Sequence, residues 1–349
     1  EVIMSHAART VFNALDIKSS YATTRGSTIR GFRTGSDYEW QLGDRGALAG
    51  NSSRGLGLTS RTSIYFSPDA STARMVISGE SRLSLSNNDG GSNNTIFGRY
   101  AGANGSIGNQ NAFFGDTVAN DTLTTAASYN VGVGYRAIHG LKAGSENTAV
   151  GTAAGYGMYG GAGVRNVAIG AYSLYIGAAE KTVAVGYEAG RYATGSFNTF
   201  VGTQAGVGGT QSAPYSSGTS NTGVGYEALK GFTTSIHNVA VGLSSMRDNT
   251  TGNYNTALGN NSMRDNTTGG ANTALGYAAG FGLDGGSYNV VIGNGAGYSL
   301  AGVSNCILIG DQAGELINST DANGTVVIGH EAGKVITSGA ANTVIGYQA

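Results

Sequence analysis

A repeat of about 17 residues is the feature that most constrains the fold of this chain. Its motif reads Asn, then Thr or Val, a small residue, an aliphatic residue and Gly, with Ala or Ser three positions later. Fifteen copies occur, with their glycines at Gly98, Gly115, Gly134, Gly151, Gly170, Gly186, Gly202, Gly225, Gly242, Gly259, Gly276, Gly293, Gly310, Gly329 and Gly346. We call these the anchor glycines. Residues 245–252 and 262–269 are identical, so the chain is built by repeating one small unit.

The three residues before each anchor glycine are predicted to form a short β-strand. The residue directly before the glycine is apolar in all fifteen copies, and the residue three before it is mostly β-branched. Because side chains alternate along a strand, these two share a face, which we expect to line the interior. The middle residue is small in many copies, as in Ala149 and Ala240, and becomes Val or Leu toward the C-terminus, as in Leu308. We expect that second face to pack against the same face of a sister chain.

A single repeat cannot fold by itself. Its few apolar side chains contribute at most ~10 kcal/mol on burial, whereas ordering 17 residues costs on the order of 25 kcal/mol. Stacking the repeats closes the core, so the predicted fold is all-β, an elongated homotrimeric β-solenoid with one strand per repeat. At ~4.8 Å per strand the rod is roughly 70 Å long. A triple-stranded helix of three interleaved chains is the alternative.

Two further positions of the repeat carry turn residues. Asn stands four before the anchor in twelve copies, as in Asn94, Asn147 and Asn255, and predicts a ladder of side-chain amides between neighbouring turns. The position four after the anchor alternates between Gly, as in Gly155, and Leu or Met, as in Met246. We interpret it as a corner with a positive φ angle.

The composition of the chain is rich in glycine and poor in charged residues. Of 349 residues 60 are Gly and 2 are Pro, charged residues make up 12%, and the net charge is −1. Nucleic-acid binding and membrane insertion are therefore not expected.

Residues 1–92 lack the motif and are predicted to be a separate attachment module, with a helix at 3–18 and strands at 37–42, 63–66 and 74–77. The last two are expected to form a hairpin. Residues 93–349 are the predicted shaft.

The repeats resemble those of known fibrous proteins. Asn147-Thr-Ala-Val-Gly-Thr-Ala-Ala154 and Asn342-Thr-Val-Ile-Gly-Tyr-Gln-Ala349 are similar to shaft repeats of bacteriophage tail fibres of the endosialidase-type chaperone class. Asn166-Val-Ala-Ile-Gly170 is similar to the head repeats of trimeric autotransporter adhesins, whose period is shorter. The self-cleaving chaperone of the phage family does not occur in these residues. We expect either that a tip was removed or that the chain is a segment of a longer fibre.

The resemblance implies a homotrimeric, structural and adhesive fibre protein of a virion. Its expected partners are two further copies of itself, other tail or fibre proteins through residues 1–92, and a glycan or protein on the host surface. The alternative is the passenger of a bacterial trimeric surface adhesin, located on the cell surface. A polysaccharide depolymerase is a third reading.

Candidate recognition residues lie at two places. Tyr135, Tyr187, Tyr226, Tyr277 and Tyr347 directly follow anchor glycines and are expected to point outward, either as platforms for sugar rings or in stacking contacts between turns. Residues 206–221 lengthen one spacing to 23, so Pro214 and Tyr215 are expected in a protruding loop.

Candidate catalytic residues are few. Asp248 and Asp265 are 17 apart, which places them on adjacent turns at a distance approaching that of a retaining glycosidase pair, but Arg247 and Arg264 repeat beside them. Asp37 and Glu39 share a strand face. The four histidines are scattered and Cys306 is the only cysteine. We therefore expect no enzymatic activity, no cofactor and no metal site.

Overall fold

The structure is a computed structural model. It describes residues 93–102, 108–121, 127–157, 163–176 and 179–349 in full, and five earlier strands by their backbone. The chain divides into two compact units, Glu1–Ser86 and Asn87–Ala349.

The first unit contains two small antiparallel sheets. Strands β1 (Thr28–Phe32), β2 (Tyr38–Asp44) and β3 (Leu56–Thr59) pair in that order, and β4 (Val76–Ile77) pairs with β5 (Leu83–Ser84). The prediction of a strand at 37–42 corresponds to β2. The hairpin was predicted between residues 63–66 and 74–77, but β4 pairs with β5, which follows it. Residues 63–66 and the predicted helix at 3–18 lie outside the described residues.

The second unit is a parallel β-solenoid, with one strand for each repeat. Its fifteen strands, β6 to β20, are Thr95–Phe97, Ala112–Phe114, Val131–Val133, Thr148–Val150, Val167–Ile169, Val183–Val185, Thr199–Val201, Thr222–Val224, Val239–Val241, Thr256–Leu258, Thr273–Leu275, Val290–Ile292, Ile307–Ile309, Val326–Ile328 and Thr343–Ile345. Each strand pairs in parallel with the strand of the next repeat, in register residue for residue. A short 3-10 helix, Thr320–Ala322, interrupts one connection. The solenoid prediction is confirmed, and consecutive strands of one chain form the rungs.

The predicted assignment of the two strand faces is wrong. In all fourteen strands from β6 to β19 the middle residue is buried, as in Ala240, Phe200 and Leu308, while its two neighbours are half-buried or exposed. The reason is the narrow interior of the coil. Only the middle side chain of a three-residue strand points inward, and this side chain must fit beside the corner residue, which is four positions after the anchor glycine. The interior therefore takes one strand side chain per turn, which is Gly or Ala in eight of these strands and larger in the other six, and the bulky β-branched residues of the outer positions lie outside.

The anchor glycines fix the spacing between turns. All fifteen have φ between +120° and +142°, a region that side chains disfavour. A Cβ added to any of the first fourteen would lie 2.0–2.8 Å from backbone atoms of the following anchor. Glycine is required at this position both for its φ angle and for the close approach of two backbones.

The predicted amide ladder is confirmed. Asn238 Nδ2 donates to Asn221 Oδ1 at 3.1 Å and to the carbonyl oxygen of Gly252 at 2.9 Å, and Asn238 Oδ1 accepts the backbone N–H of Asn255 at 2.9 Å. Each buried amide thus satisfies groups on two neighbouring turns. Thr182, Cys306 and Thr325 replace Asn in this column. The predicted corner is also confirmed, since described residues four after the anchors have φ between +43° and +60°.

Candidate functional site

The outer sheet face is an apolar surface that runs along the solenoid. We define it as the first and last residues of strands β6 to β20, which point away from the interior. None of these positions carries a charge, and Thr is the only polar residue type among them. Large apolar residues of this face that are at least one-third exposed are Phe97, Phe114, Val131, Val150, Ile169, Val201, Val239, Leu258, Leu275, Ile307, Ile328 and Ile345. The face continues from the first strand to the last.

The five tyrosines that follow anchor glycines lie beside the outer sheet face. They are between 46% and 73% exposed. Their contacts differ: Arg136 lies over the Tyr135 ring, Tyr187 meets Tyr172 edge-on, and Tyr347 stacks on His330. Tyr226 and Tyr277 have no ring partner among the described residues. Eight intervening turns carry another residue at this position, such as Leu243 and Asn260, so these tyrosines do not form a continuous row.

Two short aromatic stacks do occur at another position, five residues after the anchor, which sequence reasoning missed. His139, Tyr156 and Tyr175 stack with centroid distances of 4.9 Å at each step, and Phe281 stacks on Tyr298 at 4.7 Å. Because these rings are nearly parallel and follow the stacking direction of the turns, they cover one another's faces and stabilise neighbouring turns. Arg191 lies over the Tyr175 ring and Arg264 over the Phe281 ring, so an arginine covers one end of each stack. The constant offset from the anchor was a signal that could have found them.

The insert at residues 206–221 lies beside a cleft, which its residue Gln211 helps to line. Residues 211–214 are exposed, and on either side of them the hydroxyl oxygens of Thr210 and Ser216 lie 3.2 Å apart. The Ser216 backbone N–H donates to the Tyr192 carbonyl, and Tyr215 stacks on Tyr192 with ring centroids 6.3 Å apart. Of the two residues predicted in a protruding loop, Pro214 is exposed and Tyr215 is half-buried against the preceding turn.

The cleft itself has a volume of about 350 Å³. Residues of three successive turns line it: Val207, Gly208, Gly209, Gln211, Glu227, Lys230, Gly231, Arg247 and Asp248. We call it the insert cleft. The lining includes three glycines, whose backbone N–H groups donate to carbonyls of the next turn, and Gln211 of the insert.

The charges of the insert cleft are paired among themselves. Lys230 Nζ lies 2.6 Å from Glu227 Oε1 and 3.1 Å from Gln204 Oε1. Arg247 contacts both carboxylate oxygens of Asp248, with Nε–Oδ1 and Nη2–Oδ2 distances of 2.9 and 2.7 Å. The hydrogen bond that Arg247 donates to the Asp248 carboxylate raises the pKa of Arg247. Two cations and two anions therefore cancel within the cleft.

The carboxylates considered for catalysis are held by neighbouring arginines. Asp248 pairs with Arg247, and Asp265 pairs with Arg264 at 3.2 Å. Burial raises the pKa of Asp265. Glu39 lies in β2, and Asp37 lies outside the described residues. Among the residues that the structure describes, no group of three or more His, Cys, Asp or Glu side chains converges as a metal site requires.

Comparisons with protein families, curated proteins and solved structures find no match for this chain. The resemblance to fibre proteins thus rests on the repeat motif itself. Within the described part of the chain, no helix has the length and apolar character needed to cross a membrane.

Proposed function

We propose that residues 93–349 form a shaft segment of a trimeric fibre, in which the outer sheet faces of three copies pack together. The observation that supports this most is the uncharged outer sheet face. Monomeric proteins rarely expose contiguous apolar patches larger than a few hundred Å². A face without charge over fifteen strands fits a surface that is covered in the assembled protein.

A second copy of the chain is the partner that fits this face best. The face repeats its side-chain pattern at each strand, with neighbouring strands ~4.8 Å apart. A parallel copy offers the same spacing at every turn, so contacts stay in register along the shaft. With a partner of a different period, the contacts would not stay in register along the shaft. The number three comes from the resemblance to trimeric fibres.

The fibre belongs, in this proposal, to a bacteriophage tail and takes part in attachment to the host surface. The motif shared by residues 147–154 and 342–349 supports this reading. The alternative is a bacterial trimeric surface adhesin, which the sequence Asn166-Val-Ala-Ile-Gly170 favours. Both assign the outer sheet face to assembly and leave the other faces of the solenoid free for recognition.

The test introduces charge on the outer sheet face. Leu258 and Leu275 occupy equivalent positions on adjacent turns and are 43% and 46% exposed. In the double variant Leu258→Glu/Leu275→Glu, three pairs of carboxylates would meet in a dry interface, which is strongly unfavourable. We expect native mass spectrometry to give three times the 35.2 kDa chain mass for the original protein and the monomer mass for the variant.

The matched control adds the same charges elsewhere. Thr251 and Thr268 are exposed and occupy equivalent positions in the two identical octapeptides. The variant Thr251→Glu/Thr268→Glu should remain trimeric. Circular dichroism on both variants separates loss of assembly from loss of folding. A monomeric original protein at micromolar concentration would contradict the proposal.

A further inference from the structure

The lining of the insert cleft combines a residue of the insert with side chains of the regular turns. It contains Arg247 and Asp248, and the same two residues recur one turn later as Arg264 and Asp265 within an identical octapeptide. The side chains are equally exposed, 31% and 39% in the first pair and 32% and 39% in the second. Only the first pair lines the cleft, together with Gln211 of the insert. The second pair is therefore a matched reference with the same local sequence and exposure outside the cleft.

The polar groups of the cleft determine which ligand it can take. Glu227 and Asp248 present acceptors, Lys230 and Arg247 present donors, and Gln211 presents both. All four charged groups are already paired with an opposite charge or an amide. A charged ligand would have to displace one of these partners. A hydroxyl group can instead accept from a cation and donate to its carboxylate while both stay paired.

The glycines of the cleft lie where neighbouring turns pack against each other. At Gly209 an added Cβ would lie 2.4 Å from the Gly231 carbonyl oxygen, and at Gly231 it would lie 2.9 Å from that of Arg247. Side chains are thus excluded between these turns, and the groups available to a ligand are the polar side chains of the lining. A volume of about 350 Å³ lies at the lower end of the range of small-molecule sites.

We propose that the insert cleft binds a neutral, hydroxyl-rich oligosaccharide segment. Adjacent hydroxyls of one sugar would bridge Arg247 and Asp248 from one side and Lys230 and Glu227 from the other, with Gln211 closing over them. This inference rests on the proposed role in host attachment and names the chemical class of the receptor. It does not depend on how many copies of the chain assemble.

The test uses the internal duplicate as its control. The full chain is applied to an array of short neutral oligosaccharides of hexoses and N-acetylhexosamines, together with sialylated, uronic-acid and sulfated ones. Affinity for the best neutral ligand is then measured for Asp248→Asn and Arg247→Met, and for Asp265→Asn and Arg264→Met one turn away. We expect at least a tenfold loss for the first pair and less than a twofold change for the second.

Several results would overturn the inference. These are preference for the acidic glycans, equal loss in both pairs of variants, and no binding of any neutral glycan by the folded protein. Hydrogen exchange gives a second readout: ligand should protect residues 207–211 and 227–231 and leave 264–265 unchanged. Native mass recorded on the same samples separates the two proposals. A trimer that binds no neutral glycan contradicts only the cleft assignment, and a monomer that binds one contradicts only the trimeric shaft.

Discussion

The turn that contains Ala257 and the turn that contains Leu308 fill the interior of the solenoid with residues from different positions of the repeat. The first turn contributes only a methyl group from its strand, and the corner residue Met263 fills the space and is fully buried. The second contributes Leu308 from its strand, and its corner is Gly314, where an added Cβ would lie 2.8 Å from Ile317 Cδ1. The corner residue therefore fills the interior of the first turn, and the strand residue fills that of the second.

Both regions share the anchor glycine, and the largest effect is expected there. In Gly293→Ala the new Cβ would lie 2.2 Å from the Gly310 carbonyl oxygen at a φ of +136°. Neither strain can relax without separating two turns. We expect the free energy of unfolding to fall by more than ~4 kcal/mol in urea denaturation followed by circular dichroism.

Gly295, two residues further on, is the control for this change. Its φ is +60°, and an added Cβ would contact only Gln312 Cγ at 3.7 Å. Other turns place Gln, Glu or Ala at this position with a similar φ. Gly295→Ala should therefore change the free energy of unfolding by only about 1 kcal/mol. Equal destabilisation by the two substitutions would contradict the requirement for close backbone approach.

The strand residue and the corner residue of the turn that contains Leu308 occupy adjoining space, since a Cβ at Gly314 would lie 3.0 Å from Leu308 Cδ2. We therefore expect substitutions at these two positions to have coupled effects on stability. Leu308→Ala should cost about 2–5 kcal/mol because it leaves a cavity. Gly314→Leu should cost about 2 kcal/mol because the new side chain meets Leu308 and Ile317. Combined, they recreate the pattern of Ala168 and Leu174, and we expect a double-mutant cycle to recover at least ~1 kcal/mol. Additive losses would show that the two positions do not share one volume.

The sequence predicted the solenoid but not which strand face is buried, and the reason is physical. The period, the strand positions and the amide ladder follow from spacing alone. Burial was assigned by size, which works in wide cores but fails where a turn encloses only one strand side chain, as at Ala240. The glycine or methionine at the corner, as at Met246, was the available clue, because a large corner residue requires a small strand residue beside it.

The candidate site was predictable only in part. The length of the insert predicted a protruding loop at Pro214 and Tyr215, of which Pro214 is exposed and Tyr215 is half-buried against Tyr192. The insert cleft was not predictable, because its lining comes from three turns and part of it has the same sequence as the turn after it. Asp248 differs from Asp265 in lining the cleft together with Gln211, a relation between turns that no local pattern records.

The smallest effect is expected in the amide ladder, where the central turns differ from the turn that contains Cys306. The ladder continues from Asn198 to Asn289 and then meets Cys306, whose backbone N–H donates to Asn289 Oδ1 at 2.9 Å. Its thiol sulfur lies 3.4 Å from the Ala322 carbonyl oxygen and is a weak donor. Burial raises the pKa of this thiol, which therefore stays neutral at pH 7. The column thus lacks one strong donor at this turn.

Cys306→Asn should restore that donor and raise the free energy of unfolding by about 1 kcal/mol. The geometry exists elsewhere in the chain: Asn111, which also precedes a spacing of 19, donates to the carbonyl sixteen residues ahead at 2.8 Å. The reciprocal change Asn111→Cys removes the donor there and should be destabilising. Denaturation midpoints of both variants, with Cys306→Ser to control for loss of the sulfur, measure the difference. If Cys306→Asn is destabilising, this part of the C-terminal region has no room for the amide, and the ladder is a property of the central turns alone.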